Sequence, residues 1–501
     1  MSRLLRCRAA AGRAVLLAAL ALGATGPSLA HQAVDPAILR LVKPRLTVPR
    51  RHVDRRPGSD LVEQGRRLFF QETFGGNGRT CGTCHPANNN FTIDPPFVQR
   101  LHRSRPRDPL FVAEYVPALA GLENPRLLRE HALVLENLDG FDRPGVLRGV
   151  PHTLGLGSST GPANPPNDLA GATGWSGDGA PGSDTLKEFA LGAVVQHFPK
   201  TLQRRPGVDF IVPTDAQLEA LLAFQLSTGR QGEMNLDPSA PGALAFLDPV
   251  VARGQSLFHG DPDPAPPLTP SRRSCAACHS NGGANTAGGT GLNVDTGVRL
   301  LANAPACLPS APYPPAPADG GLGVEPGTAT LCGTARPSFG NGRFNTPSVI
   351  EAADTPPFFH NNGAATIEDA VRFYTGDAFA ASPAGQGQAP AGGRFVLSAE
   401  EIVAVAAFLR AINALDNIDS ASRVLAGAIR RPTYLSVLRS PARHDIDDAI
   451  EVLTRGPRTL YPDRGPVLAL LSARTRIDRG QLAEARRDLA RASALIARAR
   501  P

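Results

Sequence analysis

Apolar residues in this chain recur three and four positions apart in short blocks, and few runs alternate with period two. That pattern predicts a mainly α fold with little strand. The blocks come in the same order twice. A short amphipathic helix is expected at Gly65-Arg-Arg-Leu-Phe-Phe70 and again at Gly254-Gln-Ser-Leu-Phe-His259. A middle helix is expected over Thr185–Ala193 and over Thr366–Tyr374. A closing helix is expected over Thr214–Phe224 and over Ser398–Leu409. Both closing helices open with an N-cap residue, then acids, then an apolar stripe. From about Ser420 the tail carries at least three further helical patterns, clearest in Pro466–Ile477 and Gln481–Arg498, and the last two are spaced to pack as a helical hairpin.

The loops repeat as well. Arg148-Gly-Val-Pro151 answers to Arg343-Phe-Asn-Thr-Pro347, and Trp175-Ser-Gly-Asp-Gly179 answers to Phe358-Phe-His-Asn-Asn-Gly363. The chain therefore reads as a tandem duplication with an added tail. The expected units are a leader at 1–30, an N-terminal domain at 31–240, a C-terminal domain at 241–419 and a helical extension at 420–501. Arg3, Arg6, Arg8 and Arg13 precede the apolar run Val15–Leu22 and a small-residue cleavage site at Ser28-Leu29-Ala30. That is the layout of a secretory signal, and the run is too short to span a bilayer. No later run is long enough for a membrane helix.

Charge adds little. The chain is +7 overall, and without the leader it is near +3, with 48 Lys+Arg against 45 Asp+Glu. That balance excludes a nucleic-acid binder. Residues 420–501 hold 16 Arg against 8 Asp+Glu, so the tail is basic and the rest acidic, which points to separate surfaces. High Gly and Pro counts imply long loops.

The chemistry lies in two pentapeptides, Cys81-Gly-Thr-Cys84-His85 and Cys275-Ala-Ala-Cys278-His279, one in each repeat. Cys-x-x-Cys-His reads as c-type haem attachment. The two thiols add across the haem vinyl groups, and the adjacent histidine presents a nitrogen to the iron. The rival reading is a structural zinc site, which needs all four thiols to converge on one point. Attachment of c-type haem outside the bacterial inner membrane agrees with the leader, so the expected compartment is the periplasm. Of the six cysteines beyond the leader, Cys307 and Cys332 remain; in an oxidising compartment they are expected to form a disulfide across a Pro/Gly-rich stretch.

His85 and His279 are the expected proximal ligands. A His/Met haem is a relatively high-potential carrier. The chain has only Met1 and Met234, the first in the leader and the second in a polar stretch. That inventory disfavours a simple wire of two saturated haems.

The stretches Phe344-Asn-Thr-Pro-Ser348, Thr355-Pro-Pro-Phe-Phe-His-Asn-Asn-Gly363 and Thr366-Ile-Glu-Asp-Ala-Val-Arg-Phe-Tyr374 resemble the di-haem cytochrome c peroxidase/MauG family. The likeness covers roughly residues 60 to 412, is stronger in the second half and excludes the tail. It implies two tandem cytochrome c-type domains and two covalently bound c-type haems. It implies Tyr374 opposite His279 as a distal ligand, where the peroxidases carry methionine and MauG carries tyrosine. It also implies Glu188 as a distal-pocket acid at the first haem, with His197 lining the same pocket. Thr355 and Pro357 match two positions whose carbonyls hold a calcium ion in the family. His102 is a weaker candidate for a distal ligand, and His152 and His360 are expected to hydrogen-bond near haem edges. The family's tryptophan between the haems has no evident counterpart, since Trp175 falls in the aromatic–glycine turn. Phe141 and Tyr115 are the candidate substitutes.

The resemblance implies an enzyme, a periplasmic di-haem peroxidase reducing hydrogen peroxide with electrons from a small cytochrome c or cupredoxin. Alternatives are MauG-like oxidation of a partner protein or organic substrate through high-valent haem, oxygen-dependent cleavage of a hydrophobic polymer, and a non-enzymatic di-haem electron-transfer cytochrome. A homodimer is left open.

Overall fold

The computed structural model describes residues 59–137, 141, 145–159, 186–260, 274–283, 293–301, 318–321, 326–331, 334–388 and 395–500. The expected leader, Trp175 and the Cys307–Cys332 pair lie outside them.

The described chain is mainly helical, as the spacing of its apolar residues requires. The first half runs through α1 (Asp60–Gln71), α2 (Pro95–Ser104), α3 (Pro125–His131), the antiparallel hairpin β1 (Leu133–Glu136) and β2 (Val146–Gly149), α4 (Leu186–His197) and α5 (Asp215–Ser227). The second half runs through β3 (Leu244–Phe246), α6 (Pro249–Phe258), β4 (Asn293–Val294), β5 (Ala318–Asp319), β6 (Pro326–Leu331), β7 (Thr334–Phe339), β8 (Phe344–Asn345), α7 (Ile367–Phe373) and α8 (Ala399–Arg430). The tail follows as α9 (Leu435–Thr454), α10 (Gly465–Asp478), α11 (Leu482–Ile496) and β9 (Ala497–Ala499). Strands β5, β7 and β6 form a three-stranded sheet in that order, and β4 pairs with β8. Among the described residues no helix is long and apolar enough to cross a membrane.

The expected caps form. Thr214 Oγ1 accepts from Gln217 N at 3.3 Å and Gln217 Oε1 accepts from Thr214 N at 2.9 Å; Ser398 and Glu401 make the same reciprocal pair. Each satisfies two backbone donors that a helix start would otherwise strand.

Each half is organised around one helix crossing, and the two crossings match. In the first, α1 packs across α5 so closely that a Cβ at Gly65 would lie 1.9 Å from the Ala220 carbonyl oxygen and 2.8 Å from Phe224 Cβ. In the second, α6 packs across α8, and a Cβ at Gly254 would lie 1.9 Å from the Ala404 oxygen and 2.8 Å from Phe408 Cβ. Only glycine lets the backbones meet this way. Aromatic rings wedge beside each contact: Phe69 and Phe70 lie 5.2 and 5.7 Å from Phe224, and Phe258 and Phe246 lie 5.3 and 5.5 Å from Phe408.

The tail is not separated from the second half by a linker. The boundary expected at 419/420 falls inside the 32-residue helix α8, and one apolar core runs from α6 and α8 through α9, α10 and α11. At its end the chain returns, and β9 pairs antiparallel with β3. Asp248 fastens the junction: Oδ1 caps α6 through Val250 N at 2.9 Å, while Oδ2 accepts from Tyr461 N of the tail at 3.0 Å. The last two tail helices form the expected hairpin, locked by Asp488 accepting from Ser472 at 2.7 Å and from Arg476 at 2.6 Å.

Polar contacts join the halves. Arg148 makes a two-pronged bridge to Asp319 at 2.6 and 2.9 Å. Gly149 N donates to His360 O at 2.8 Å, and Asn362 Nδ2 donates to His131 O at 2.9 Å. Deeper, Arg230 Nε donates to Glu351 Oε1 at 3.1 Å, and Ser348 Oγ donates to the other carboxylate oxygen at 2.5 Å. Burial alone would raise the Asp319 carboxyl, but Arg148 outweighs it and holds the group at about 2.

Gly65→Ala and Gly254→Ala should each destabilise the protein by about 1–3 kcal/mol, as overpacking does. Gly232→Ala, where a Cβ would meet open space, should leave the denaturant midpoint unchanged. Equal midpoints for all three variants would show that the crossings tolerate a side chain. Arg148→Ala leaves Asp319 charged and unpaired and should cost about 3–5 kcal/mol near neutral pH. Because the folded carboxyl titrates below its ordinary value, that contribution is complete above the carboxylate range and lost as pH falls toward about 2. Urea melts of wild type and Asp319→Asn should therefore converge on acidification, and a gap that widens would contradict the assignment.

Candidate functional site

The two Cys-x-x-Cys-His segments fold alike, although α1 and α6 lead into them through different loops. Cys81–Cys84 form a single helical turn capped by Thr80, and His85 N donates back to Cys81 O at 3.0 Å. Cys275–Ala277 form a 3-10 turn, and His279 N donates to Cys275 O at 2.8 Å. Gly82 must be small, since its Cβ would fall 2.3 Å from the Phe70 ring.

Both histidines are fixed in the same tautomer. His85 Nδ1 lies 2.9 Å from Phe91 O, and His279 Nδ1 lies 2.9 Å from Pro347 O. A carbonyl only accepts, so each Nδ1 carries the proton and each Nε2 offers its lone pair. Burial lowers both rings to about 4, keeping them neutral at physiological pH, as a metal ligand must be. Burial also pushes Cys81 and Cys275 up to about 12 and Cys84 to about 11. These are neutral thiols. Zinc binding by the four cysteines finds no support, because the pairs pack against different cores and, among the described residues, no three of His, Cys, Asp or Glu stand where they could hold a metal ion.

A cavity of about 460 Å³ opens between the halves. The second half lines it with Cys275, Cys278, His279 and Tyr374; the first half contributes Glu136, His152 and Phe189. The expected pair His279 and Tyr374 thus shares one chamber. Tyr374 caps α7 and packs edge-on against Phe373 and Phe379, with centroids 5.3 and 5.1 Å away. Burial, reinforced by Cys275 and Cys278, holds its phenol well above the ordinary tyrosine value. His152 and His360 also line the cavity, and His360 stacks on Phe344 at 4.0 Å. Thr355 and Pro357 lie on the same wall. Thr355 Oγ1 donates to Glu351 O at 2.8 Å, and the Asp354 carbonyl accepts from Asn90 Nδ2 at 2.9 Å.

Behind the first motif lies a chain of charges that sequence reading did not single out. Arg79 and Glu123, 1% and 0% exposed, pair at 2.8 Å. Arg79 also donates to the carbonyls of Pro109 and Leu110, and Glu123 Oε2 accepts from Leu135 N at 2.8 Å. Next comes His197 at the end of α4, with Nδ1 3.6 Å from Glu123 and Nε2 3.3 Å from Glu136. Burial alone would raise Glu123, but Arg79 and His197 hold it below the usual carboxylate range. Burial alone would lower His197; the two glutamates reverse this and raise it to about 9. Of its members only His197 was expected near the first site, through the resemblance; Arg79, Glu123 and Glu136 carry no local motif.

Other expected residues scatter. Glu188 lies in the first turn of α4, half-buried and outside the cavity lining. His102 sits on α2, partly exposed, with Nε2 3.6 Å from Glu114 Oε2. Met234 packs at the margin of the second core, away from the cavity. Tyr115 is exposed, and Phe141 lies under the Arg204 guanidinium at 3.9 Å. No protein-family model matches the chain, and no curated protein matches it either.

Proposed function

We propose that the chain is an exported di-haem c-type peroxidase that reduces hydrogen peroxide with electrons from a small cytochrome c or cupredoxin. One observation carries the reading. Both Cys-x-x-Cys-His turns hold a neutral histidine whose Nδ1 is tied to a backbone carbonyl, the tautomer in which Nε2 can ligate iron. The sequence resemblance to di-haem peroxidases supports it independently. So does the packing of the first half, where the buried side chains form several small clusters rather than one, as expected where a prosthetic group completes the core.

The residues fit two such groups. Cys81, Cys84 and His85 would hold one; Cys275, Cys278 and His279 would hold the other. Bound c-type haem supplies iron that can bind peroxide and pass electrons. The protein's part is to orient each imidazole, to wall off the cavity, and to keep the Tyr374 phenol buried. Burial favours the protonated phenol, whereas a neighbouring ferric iron would favour the phenolate. An anionic oxygen there lowers the potential relative to a methionine sulfur, so the two sites would be unequal. The overall reaction takes hydrogen peroxide, two electrons and two protons to two waters.

The Tyr374 position in the cavity also favours a second reading, MauG-like oxidation of a partner protein or organic substrate. Mass spectrometry of protein matured with haem should find two attached groups, and Cys81→Ala with Cys84→Ala should remove one. Tyr374→Phe should change the ferric absorption spectrum of the remaining site; an unchanged spectrum would rule out tyrosine ligation. Mixing the half-reduced protein with stoichiometric peroxide and reduced cytochrome c should oxidise the cytochrome rapidly. A persistent spectral change without cytochrome turnover selects the second reading, and no change in either redox state removes both.

A further inference from the structure

His85 donates its Nδ1 hydrogen bond into a turn that the chain does not adopt cheaply. The acceptor, Phe91 O, lies 2.9 Å away. Asn90 and Phe91 both have left-handed backbone, with φ 54° at each. Asparagine tolerates that conformation, but a phenylalanine there is an outlier that its surroundings must hold. Inside the loop, Phe91 N donates to Pro86 O and Thr92 N to Asn89 O, both at 3.1 Å. The Phe91 ring is caught in the wedge beside the first crossing, 6.2 Å from Phe69, Phe70 and Phe224.

Asn90 reaches out of its own half. Its Nδ2 donates to the Asp354 carbonyl at 2.9 Å, across 264 residues of sequence. Asp354 is itself clamped to α8: its N donates to Asn413 Oδ1 at 3.0 Å, and its Oδ2 accepts from Asn413 Nδ2 at 3.0 Å and from Asn417 Nδ2 at 2.8 Å. The next residue, Thr355, lines the cavity together with His279. Hydrogen bonds therefore run from α8, past the wall of the second chamber, to the turn whose carbonyl meets His85. His279 is held differently. A left-handed pair follows it too, Asn281 and Gly282 with φ 53° and 73°, and Asn281 Oδ1 accepts from Leu236 N at 2.6 Å. The carbonyl on His279, however, belongs to Pro347, outside that turn.

We propose that Asn90 is a positioning residue through which the second half sets the redox potential of the first site: its bond to Asp354 holds the left-handed turn, and the turn holds the Phe91 carbonyl on His85 Nδ1. The inference rests on the part of the functional reading that places haem on both motifs. A carbonyl accepting from Nδ1–H draws the proton outward and makes Nε2 the stronger donor to iron. A stronger donor favours the ferric state and lowers the potential. If the turn relaxes, the carbonyl swings away, the ring becomes a poorer donor, and the potential of that site alone rises. The fixed end of the arrangement is α8, so the half that lacks His85 decides how firmly His85 is held.

The experiment uses the full protein carrying both haems, titrated optically against applied potential. Asn90→Gly suits the test because glycine keeps the left-handed backbone and adds no charge, while the donor to Asp354 is lost. The variant should retain both attached groups by mass. One of its two reduction steps should move upward by about tenfold in the ferric-to-ferrous ratio, about 59 mV for one electron. The step that moves should be the one missing from Cys81→Ala with Cys84→Ala, and the other should stay in place. Asn88→Gly, at an exposed position of the same loop, should move neither step. Should Asn90→Gly fold poorly, Asn90→Ala removes the same donor and should raise the same step. An unmoved first-site step in Asn90→Gly overturns the inference, as does an equal shift in Asn88→Gly, which would mark general loosening of the loop. Peroxide consumption, measured on the same wild-type sample, reports separately on the peroxidase reading. A wild type that ignores peroxide while Asn90→Gly still shifts the first-site step overturns that reading and upholds the role of Asn90.

Discussion

Two backbone contacts organise the molecule. At Gly65 against Ala220, and at Gly254 against Ala404, one helix rests directly on the carbonyl of another. Helices that meet through side chains stand 8–10 Å apart with some freedom of angle. Contact through a bare glycine removes the freedom and sets the distance. Everything downstream inherits that setting: α1 and α6 each lead toward a Cys-x-x-Cys-His turn, and α5 and α8 each close a half. The phenylalanines beside the crossings fill the wedge, and in the first half Phe69 also lies 6.1 Å from the His85 ring. The crossing therefore bears on where a histidine nitrogen sits.

The halves diverge in what surrounds this shared frame. The second half adds a tail, and the extended helix α8 carries the core of both without a break. Most of its buried apolar residues merge into one large cluster, beside a small one at Val298, Phe373 and Phe379. The first half has no such support and divides into smaller clusters, but it holds the buried Arg79–Glu123 pair and the histidine beside it. Because the interior of a protein strengthens both the attraction and the penalty of charges, such a network is rigid only while every member is paired. Polar contacts also decide how the halves meet. Arg148 with Asp319 and Arg230 with Glu351 are specific in direction, and Arg148 also lines the cavity in which Tyr374 and Glu136 both appear.

The fold was largely legible in the sequence. The helices expected at 65–70, 254–259, 214–224 and 366–374 appear within longer or nearly coincident elements, because apolar spacing and capping residues act over one or two turns and need no distant partner. The tail hairpin was legible for the same reason. The expected end of the second half at 419 was not, since the apolar pattern runs past it, Gly427 sits inside α8 without breaking it, and no proline follows until Pro432. The site was legible in part. Cys-x-x-Cys-His is a local motif whose meaning lies in five consecutive residues, and the proline loop that would face it could be matched by repetition; Pro347 does accept from His279.

By itself the sequence determined the helical class, the duplication, the two motifs and the choice of tyrosine over methionine at position 374, all of which depend on residue type and local spacing. Only the tertiary structure decided which groups share a chamber. Arg79, Glu123, Glu136 and His197 come from four separate segments and carry no common pattern in the chain. The physical reason is distance in sequence. A helix or a cap is stabilised by neighbours a few residues away, whereas a buried charge network exists only once folding has brought its members together and removed the water that would otherwise hold them apart.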